Sequence, residues 1–446
     1  MISATANRVT TRLTLRMSRV WLLGSLAFVV LVAGLATLRG AELALTIPIV
    51  VYWGYCLATA PNEVRLEVQR SLSAERVPPR TPVVVQLSIV NRGDSVVDLA
   101  LDDALPAGLE LVQGSPRHLI FLERGKTFEF TYTVQGPRGE YAFAPLAADA
   151  RDMVGLLSTR VRAGAPNRLL VLPTIARVKS VPIQPRRTRA YSGTIPARAG
   201  GSGVEFFGVR PYQIGDAARR INWRAMARHP EAIYSNEFQQ ERVADVAIVL
   251  DGRQRVDLHA PGQSLFEHSV VAAGSLASAL LQQGNRVGLL VYSQFLRWTF
   301  PGYGRIQRER ILHALALAAP GPSQVFEGLQ NLPARLFPPE SQIVLVSPVL
   351  EDDFPTIIQL RARGHQVLII CPDPVSLEVV ALPRAKSQYS ASDVTLATRI
   401  VRLERRILLR RLRRAGVQVI EWDVSFPFDQ AMQRAFRRLH QLRTPT

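Results

Sequence analysis

From residue 246 onward, short runs of β-branched and other apolar residues alternate with longer stretches of helical period. Residues 246–250 form an unbroken apolar run, the pattern of a strand buried on both faces. Similar runs stand at 287–292, 343–346, 367–371 and 417–421, and residues 295–300 alternate in a way that predicts pairing with the 287–292 run. Between them, residues 265–282, 306–318, 355–363, 400–414 and 429–442 have helical period, with Gly284, Gly364 and Gly416 where helices should stop. This alternation predicts an α/β domain over residues 244–446, with a mostly parallel sheet and helices on both faces. Ligands in such sheets sit at the carboxyl ends of strands, which directs attention to Asp251 and to residues 347–353.

Residues 63–172 have a different rhythm. Alternating runs such as 83–90, 96–101, 127–134 and 140–145 are separated by turn residues, among them Asn91-Arg92-Gly93-Asp94 and Pro106-Ala107-Gly108. Strands at this spacing predict an antiparallel β-sandwich of immunoglobulin-like shape. Asp94, Asp102 and Asp103 read as turn formers. Residues 175–203 are basic and rich in proline and glycine, so residues 173–243 read as a connector followed by a distinctive segment.

At the N-terminus, residues 20–38 and 43–60 are two apolar runs separated by Arg39, Gly40, Ala41 and Glu42. The first would reach about 28 Å as a helix, close to the hydrocarbon thickness of a bilayer. The pair predicts a transmembrane hairpin over residues 20–60. Arg8, Arg12, Arg16 and Arg19 precede it, and Arg65, Arg70, Arg76 and Arg80 follow. That placement predicts an inner (plasma) membrane protein with a cytoplasmic basic tail at 1–19 and both termini and the soluble domains in the cytoplasm.

Composition narrows the function classes. A chain of 446 residues with 47% hydrophobic content has enough apolar surface for several packed cores. Two cysteines, Cys56 and Cys371, exclude a disulfide scaffold and a thiolate zinc cluster. A net charge of +18 directs attention to anionic surroundings, nucleic acid or a membrane face. No P-loop, H-E-x-x-H, G-x-S-x-G or C-x-x-C pattern is present. His268 and His313 lie in helical stretches and read as packing or surface residues, and Cys371 as an inert core thiol.

The most distinctive segment runs Glu205-Phe206-Phe207-Gly208-Val209-Arg210-Pro211-Tyr212-Gln213-Ile214-Gly215-Asp216-Ala217-Ala218-Arg219-Arg220-Ile221-Asn222-Trp223, then through Ala227-Arg228 to Glu237-Phe238. Read physically, Gly215-Asp216 predicts a turn followed by a helix cap on Asp216. Arg210, Arg219 and Arg228 are candidates for charge-assisted bonds to Asp216, Glu205 or Glu237, and Tyr212 and Trp223 for buried area. Such a knot can hold a fold or present a recognition surface. Phe207, Gly208, Arg210, Tyr212, Gly215, Asp216, Arg219, Asn222, Trp223 and Arg228 are the positions that carry a family resemblance, and that resemblance makes them the candidate binding residues.

This segment resembles the hallmark of the bacterial and archaeal domain-of-unknown-function family 58. The hairpin, the β-rich domain and the α/β domain fit the resemblance, which extends over nearly the whole chain. The resemblance implies an α/β part similar to a von Willebrand factor A domain, and a partner among AAA+ ATPases of the MoxR type. It implies a membrane-anchored adaptor in complex assembly or maturation; no enzymatic activity is expected, and the basic charge beside a membrane makes membrane lipids a further expected partner. Domains of the von Willebrand factor A kind hold Mg²⁺ through D-x-S-x-S after the first strand and a later aspartate. Here the first stretch is Asp251-Gly252-Arg253-Gln254-Arg255, with arginine at both serine positions, and Pro348 follows the later strand. A guanidinium adds positive charge where a hard cation needs oxygen. The expectation is a degenerate site at Asp251, Arg253 and Arg255 with no metal and no cofactor, Arg253 or Arg255 pairing with Asp251.

Glu351-Asp352-Asp353 reads as a set of dipole partners for the following helix. The rival reading of the whole chain is a hydrolase with an acidic site near Asp251 and Glu351. The 400–414 helix carries Ile400, Leu403, Ile407, Leu408 and Leu412 as an apolar stripe, with arginines over the remaining surface. Core packing with a solvated basic face is the first reading and contact with anionic lipid the second; nucleic-acid binding comes third, and no nucleic-acid partner is expected since aromatic interleaving is absent.

Overall fold

The computed structural model describes residues 12–15, 17–37, 40–59, 63–151, 157–178, 181, 189–260, 262–323, 326–381 and 391–441. The tail up to residue 11, the 152–156 stretch, and Pro185, Arg186 and Arg187 of the connector lie outside the described residues. The chain divides into two compact units, residues 1–172 and 173–446.

The first unit begins with β1 (Arg12–Leu15) and the helices α1 (Met17–Thr37), α2 (Gly40–Ala44) and α3 (Thr46–Thr59). The expected transmembrane hairpin is overturned here: among the described residues no helix is long and apolar enough to cross a membrane. The run at 43–60 is not one helix. It breaks at Leu45, and α3 restarts with Pro48 in its first turn, where a missing N–H leaves no intrahelical bond unmade. At 14 residues α3 spans about 21 Å, short of the roughly 30 Å hydrocarbon core. The inner-membrane placement and the cytoplasmic orientation rested on that hairpin and lose their basis with it. The 1–19 segment is not wholly a tail either, since β1 pairs with β11.

The β-rich part follows as β2 (Leu66–Leu72), β3 (Arg76–Val77), β4 (Val83–Asn91), β5 (Val96–Asp102), β6 (Glu110–Gly114), β7 (Arg117–Leu122), β8 (Thr127–Gln135), β9 (Gly139–Phe143), β10 (Leu146–Arg151), β11 (Leu157–Ala163) and β12 (Asn167–Val171). They form three sheets, β1-β11-β10-β5-β7, β2-β4-β8-β6 and β3-β12-β9, in place of the two expected of an immunoglobulin-like sandwich. Alternation identifies a strand's buried face, here Val83, Val85, Leu87 and Ile89 on β4, but not its partner. The third sheet depends on β12 returning parallel to β3. A buried polar cluster lies inside this unit. Arg70 donates to Asp103, and the Tyr132 hydroxyl donates to Asp103 Oδ2 at 2.5 Å. Burial, together with the hydrogen bond to Asp103, pushes the Tyr132 phenol far above its ordinary pKa. Asp103 is thus a buried ion-pair partner as well as a residue following a strand.

The second unit opens with a long ribbon, β13 (Arg189–Pro211) and β14 (Tyr234–Val243), joined through α4 (Trp223–Arg228). The glycines at 200, 201 and 203, expected in a loop-like connector, lie within β13. Register shifts on both sides of them accommodate the extra residues, as bulges do. The core sheet comprises β15 (Asp245–Asp251), β18 (Arg286–Tyr292), β19 (Leu296–Gly302), β20 (Gln342–Val346), β21 (Gln366–Pro372) and β22 (Gln418–Trp422), with a small β16 (His259–Ala260)–β17 (Gln263–Ser264) hairpin after the first of them. The order is β19-β18-β15-β20-β21-β22. Four pairings are parallel, while β18–β19 is antiparallel, so the sheet is mixed. The short connection between β18 and β19 requires this, because parallel neighbours need a crossover of a dozen or more residues.

Every residue of β15 is buried, and its side chains divide by the strand's period of two. Val246, Ile248 and Leu250 face a core shared with α5 (Leu265–Gln282), α6 (Gly304–Ala316) and α10 (Phe428–Gln441). Ala247 and Val249 face the opposite core, which takes α7 (Phe354–Ala362) and the C-terminal part of α9 (Ala391–Arg414). The short α8 (Pro374–Ala381) precedes α9. The apolar stripe expected on the 400–414 helix is divided by the structure. Leu412 is buried, whereas Ile400, Leu403 and Ile407 are exposed.

Candidate functional site

From β15 the chain passes first to β18 on one side, then returns with β20 on the other. Reversals of this kind leave a crevice at the carboxyl ends of the strands. Asp251 ends β15 and Ser347 follows β20, so both side chains point into that region. Gly252 is required between Asp251 and Arg253, because a Cβ there would come within 2.9 Å of Ser293 Cβ and 3.1 Å of the Phe266 ring.

Arg253 is the centre of the arrangement and is 2% exposed. Its Nε donates to Asp251 Oδ1 at 2.9 Å and its Nη2 to Asp251 Oδ2 at 2.7 Å. On the other side Nη1 and Nη2 donate to Asp353 Oδ1 and Oδ2, both at 2.8 Å. Nη1 also donates to the Glu327 carbonyl at 3.3 Å. A guanidinium has five N–H donors in a rigid fork, and here all five are accepted. Ser347 Oγ donates to Asp251 Oδ2 at 2.6 Å, and the Leu350 N–H donates to Asp353 Oδ2 at 2.9 Å. Burial alone would lower the proton affinity of the guanidinium. The hydrogen bonds to Asp251 and Asp353 outweigh it, so Arg253 is held protonated more firmly than an ordinary arginine. Burial also raises the nearby Tyr292 phenol, to about 12, and its hydroxyl donates to the Gly328 carbonyl at 2.6 Å.

The loop from Ser347 to Asp353 is strained. Val349 has φ of +50°, a conformation that a β-branched residue adopts at a cost of about 1–3 kcal/mol. Its N–H is accepted by Ser347 Oγ at 3.0 Å, and its side chain is buried in the core. Ser347 thus fixes both the loop and Asp251. The acidic run beyond it meets three arginines in turn. Glu351 pairs with Arg411 at 3.2 Å, Asp352 with Arg255 at 2.6 Å, and Asp353 with Arg253. Arg255 therefore points to Asp352, not Asp251, and lies 3.7 Å from Asp353. Above the cluster a cleft of about 440 Å³ is lined by Arg253, Arg255, Pro322, Ser323, Phe326 and Glu327.

This donor set does not fit a bound Mg²⁺. The two carboxylates that would supply oxygen ligands are bridged by a guanidinium, and a cation there would be placed against a fixed positive charge. Among the described residues no group of three His, Cys, Asp or Glu side chains is placed to hold a metal ion. Sequence reasoning missed Asp353, Ser347 and the Glu327 carbonyl as partners of this centre. Asp353 was visible only as one of three acidic residues in a row, and nothing in the row distinguishes the one that turns inward.

The ribbon segment forms a separate cluster. Arg210 Nη1 and Nη2 donate to Asp216 Oδ2 and Oδ1 at 2.8 and 2.7 Å, a bidentate pair, and Arg210 Nε lies 3.7 Å from Glu237. Asp216 also accepts the Gln213 N–H at 3.0 Å, and Tyr212 donates its hydroxyl to the Asp216 carbonyl at 3.2 Å. Hydrogen bonding from Arg210, then from the Gln213 N–H, holds the Asp216 carboxyl below the usual range. Gly215 supplies the turn, with φ of +106°. Asp216 is not a helix cap; it closes a tight turn backward onto Gln213. The cap is Asn222, whose side chain accepts the Ala225 N–H at 2.9 Å and donates to Asn236 at 2.7 Å. Arg219 and Arg228 are exposed, and Arg210 is the arginine that engages Asp216. The expectation that Trp223 is buried is corrected: it is 63% exposed and Ile214 fully so, while Tyr212 is half-buried. Gly208 lies in β13 with open space around its Cα, and the side chains of Glu205 and Phe207 lie outside the described residues.

No curated protein matches this chain. Among solved structures, partial likenesses include the cupredoxin domain of amoB from Nitrosocaldus yellowstonii, at 10% identity over 25% of this chain and 89% of that one, with a TM-score of 0.18. A FixG-related protein from Vibrio parahaemolyticus gives 11% identity, 24% and 95% coverage and a TM-score of 0.17. A non-cellulosomal cohesin from the hyperthermophilic archaeon Archaeoglobus fulgidus gives 14% identity, 24% and 91% coverage and a TM-score of 0.17. Likenesses at such TM-scores bear on neither fold nor function. The segment that holds both clusters is more informative: residues 208–407, from the ribbon through Asp251, Arg253 and Asp353 into α9, match the family model described as protein of unknown function DUF58.

Proposed function

We propose that this protein is a non-enzymatic protein-docking module, with an α/β unit of von Willebrand factor A kind, that partners an AAA+ ATPase of the MoxR type in complex assembly or maturation. One observation carries the reading. At the carboxyl ends of β15 and β20, where an α/β enzyme would hold its reactive groups, the buried polar groups are committed to one another: Arg253 spends all its donors on Asp251, Asp353 and Glu327, and Ser347 closes Asp251. A carboxylate bridged in this way is a poor general base, since taking up a proton would break charge-assisted bonds in a desolvated site. The exposed Ile214 and Trp223 beside Arg219 and Arg224 add apolar and cationic surface of the kind partner proteins bury.

The rival hydrolase reading has less support. Glu351 is an exposed residue paired with Arg411, and Asp251 is enclosed. Size-exclusion chromatography of the purified chain with a purified MoxR-type ATPase from the same cells separates the readings. Co-elution, weakened by Trp223→Asp, is the expected result. Separate elution, together with a hydrolytic activity abolished by Asp251→Asn, would replace docking by catalysis.

A further inference from the structure

Helix α9 carries two apolar faces, and only one of them is used by the fold. At about 100° per residue, Leu409 and Leu412 lie on the same side as Arg405. Both leucines are buried, and Arg405 Nη2 donates to the Pro372 carbonyl at 3.1 Å. Roughly 180° away runs a second row: Leu396, Ile400, Leu403 and Ile407, exposed by 59%, 50%, 59% and 51%. Their spacing of four, three and four is the heptad pattern of a helix–helix seam. One side of the row is lined by Arg399, Arg402, Arg406 and Arg410, all exposed and with no ion-pair partner among the described residues. The other side carries Asp393 and Glu404.

We infer that this outer face of α9 is a docking seam for a helix of another protein, one that presents its own apolar a/d row and acidic residues along the flank facing the four arginines. Three features choose this occupant. The row is only about 60° wide, the width of a coiled-coil seam, whereas a helix laid on a broad apolar surface carries a stripe of about 100° or more. No aromatic residue stands in the row, although such residues anchor interfacial helices. A second copy of this chain fits poorly. A parallel pair sets Arg410 against Arg410 at the next seam position, and an antiparallel pair sets one basic flank against the other. Either outweighs the Arg399–Glu404 pair that a parallel arrangement offers. The inference rests on the docking reading but concerns a surface separate from the ribbon and the Arg253 cluster.

The test uses the full-length protein and two stapled, fluorescein-labelled helical peptides. Both have leucine at positions a and d; one has glutamate along one flank and the other lysine. Fluorescence anisotropy should show the glutamate peptide bound in preference to the lysine peptide. Ile400→Asp and Leu403→Asp should each weaken it by about tenfold or more with no loss of melting temperature, because both side chains are already solvated. Arg399→Glu with Arg406→Glu should reverse the preference towards the lysine peptide. Binding indifferent to Ile400→Asp, or no preference between peptides, would overturn the inference. So would a dimer dissociated by Ile400→Asp in sedimentation, which assigns the seam to a second copy. Capture by vesicles of phosphatidylcholine and phosphatidylglycerol through these residues, with neither peptide bound, would assign it to lipid instead. The ATPase co-elution keeps the two ideas apart. If the ATPase never co-elutes yet the peptide results hold, the choice of ATPase falls and the seam stands. If the ATPase co-elutes while the peptides ignore the seam variants, the seam falls and the docking reading stands.

Discussion

Arg253→Ala should destabilise the α/β unit by roughly 3–5 kcal/mol, the range for removing one partner from a buried ion pair. The variant leaves Asp251 and Asp353, 2% and 0% exposed, facing each other without a cation. Arg255 is the nearest compensating charge, but its Nη2 is held by Asp352. Native-state hydrogen exchange on the amides of β15 and β20 reads the effect directly, and should accelerate by about two to four orders of magnitude. Arg253→Lys should recover part of the loss, since a point charge cannot bridge two carboxylates bidentately. Neutralising all three groups (Arg253→Met, Asp251→Asn, Asp353→Asn) should recover most of it, because exchanging a buried ion cluster for uncharged groups of similar volume is often close to neutral. A triple variant as unstable as Arg253→Ala would show that packing, not charge, dominates at this site.

Asp103→Ala should cost the first unit about as much, again roughly 3–5 kcal/mol. It strands Arg70, whose side chain is 3% exposed, and removes the acceptor of the Tyr132 hydroxyl. The Arg70 Nε and Nη1 atoms already lack partners among the described residues, so little else can take up the charge. The matched control is Tyr132→Phe. It leaves the ion pair intact and should lose only about 1 kcal/mol, the worth of one hydrogen bond. Denaturant unfolding followed by hydrogen exchange of β4 and β8 compares the two, and equal losses would contradict the view that the charge on Arg70 is the larger factor.

Both sites show what can be read from sequence here. The strand at 246–250 was legible because an unbroken apolar run in an α/β alternation has one good explanation, and it emerges as β15 at the middle of the sheet. Asp251 was legible for the same reason, being the first polar residue at that strand's end. Its partners were not. Asp353 is 102 residues away from Asp251 in number (353 less 251), and only the pairing of β20 with β15 brings the following loop within reach. Asp103 looked like a turn former because aspartate is common after strands, and sequence does not register which turns face inward. The 43–60 run failed for another reason. Hydropathy sums apolar residues but does not see the chain break at Leu45 that leaves α3 too short to span. Trp223 failed because aromatic residues are usually buried, and here the tryptophan stands exposed on a six-residue helix. On α9 the period shows an apolar stripe but not which of its members pack: Leu412 is buried, whereas Ile400, Leu403 and Ile407 face solvent.

The central claim is that a guanidinium, not a metal ion, holds the acidic groups at the carboxyl ends of β15 and β20. Titration of the full-length protein with Mn²⁺, followed by electron paramagnetic resonance, tests it most directly. The expected result is a free-ion signal at all stoichiometric ratios that Asp251→Ala leaves unchanged. Loss of that signal on one equivalent of tightly bound Mn²⁺, restored by Asp251→Ala, would contradict the account.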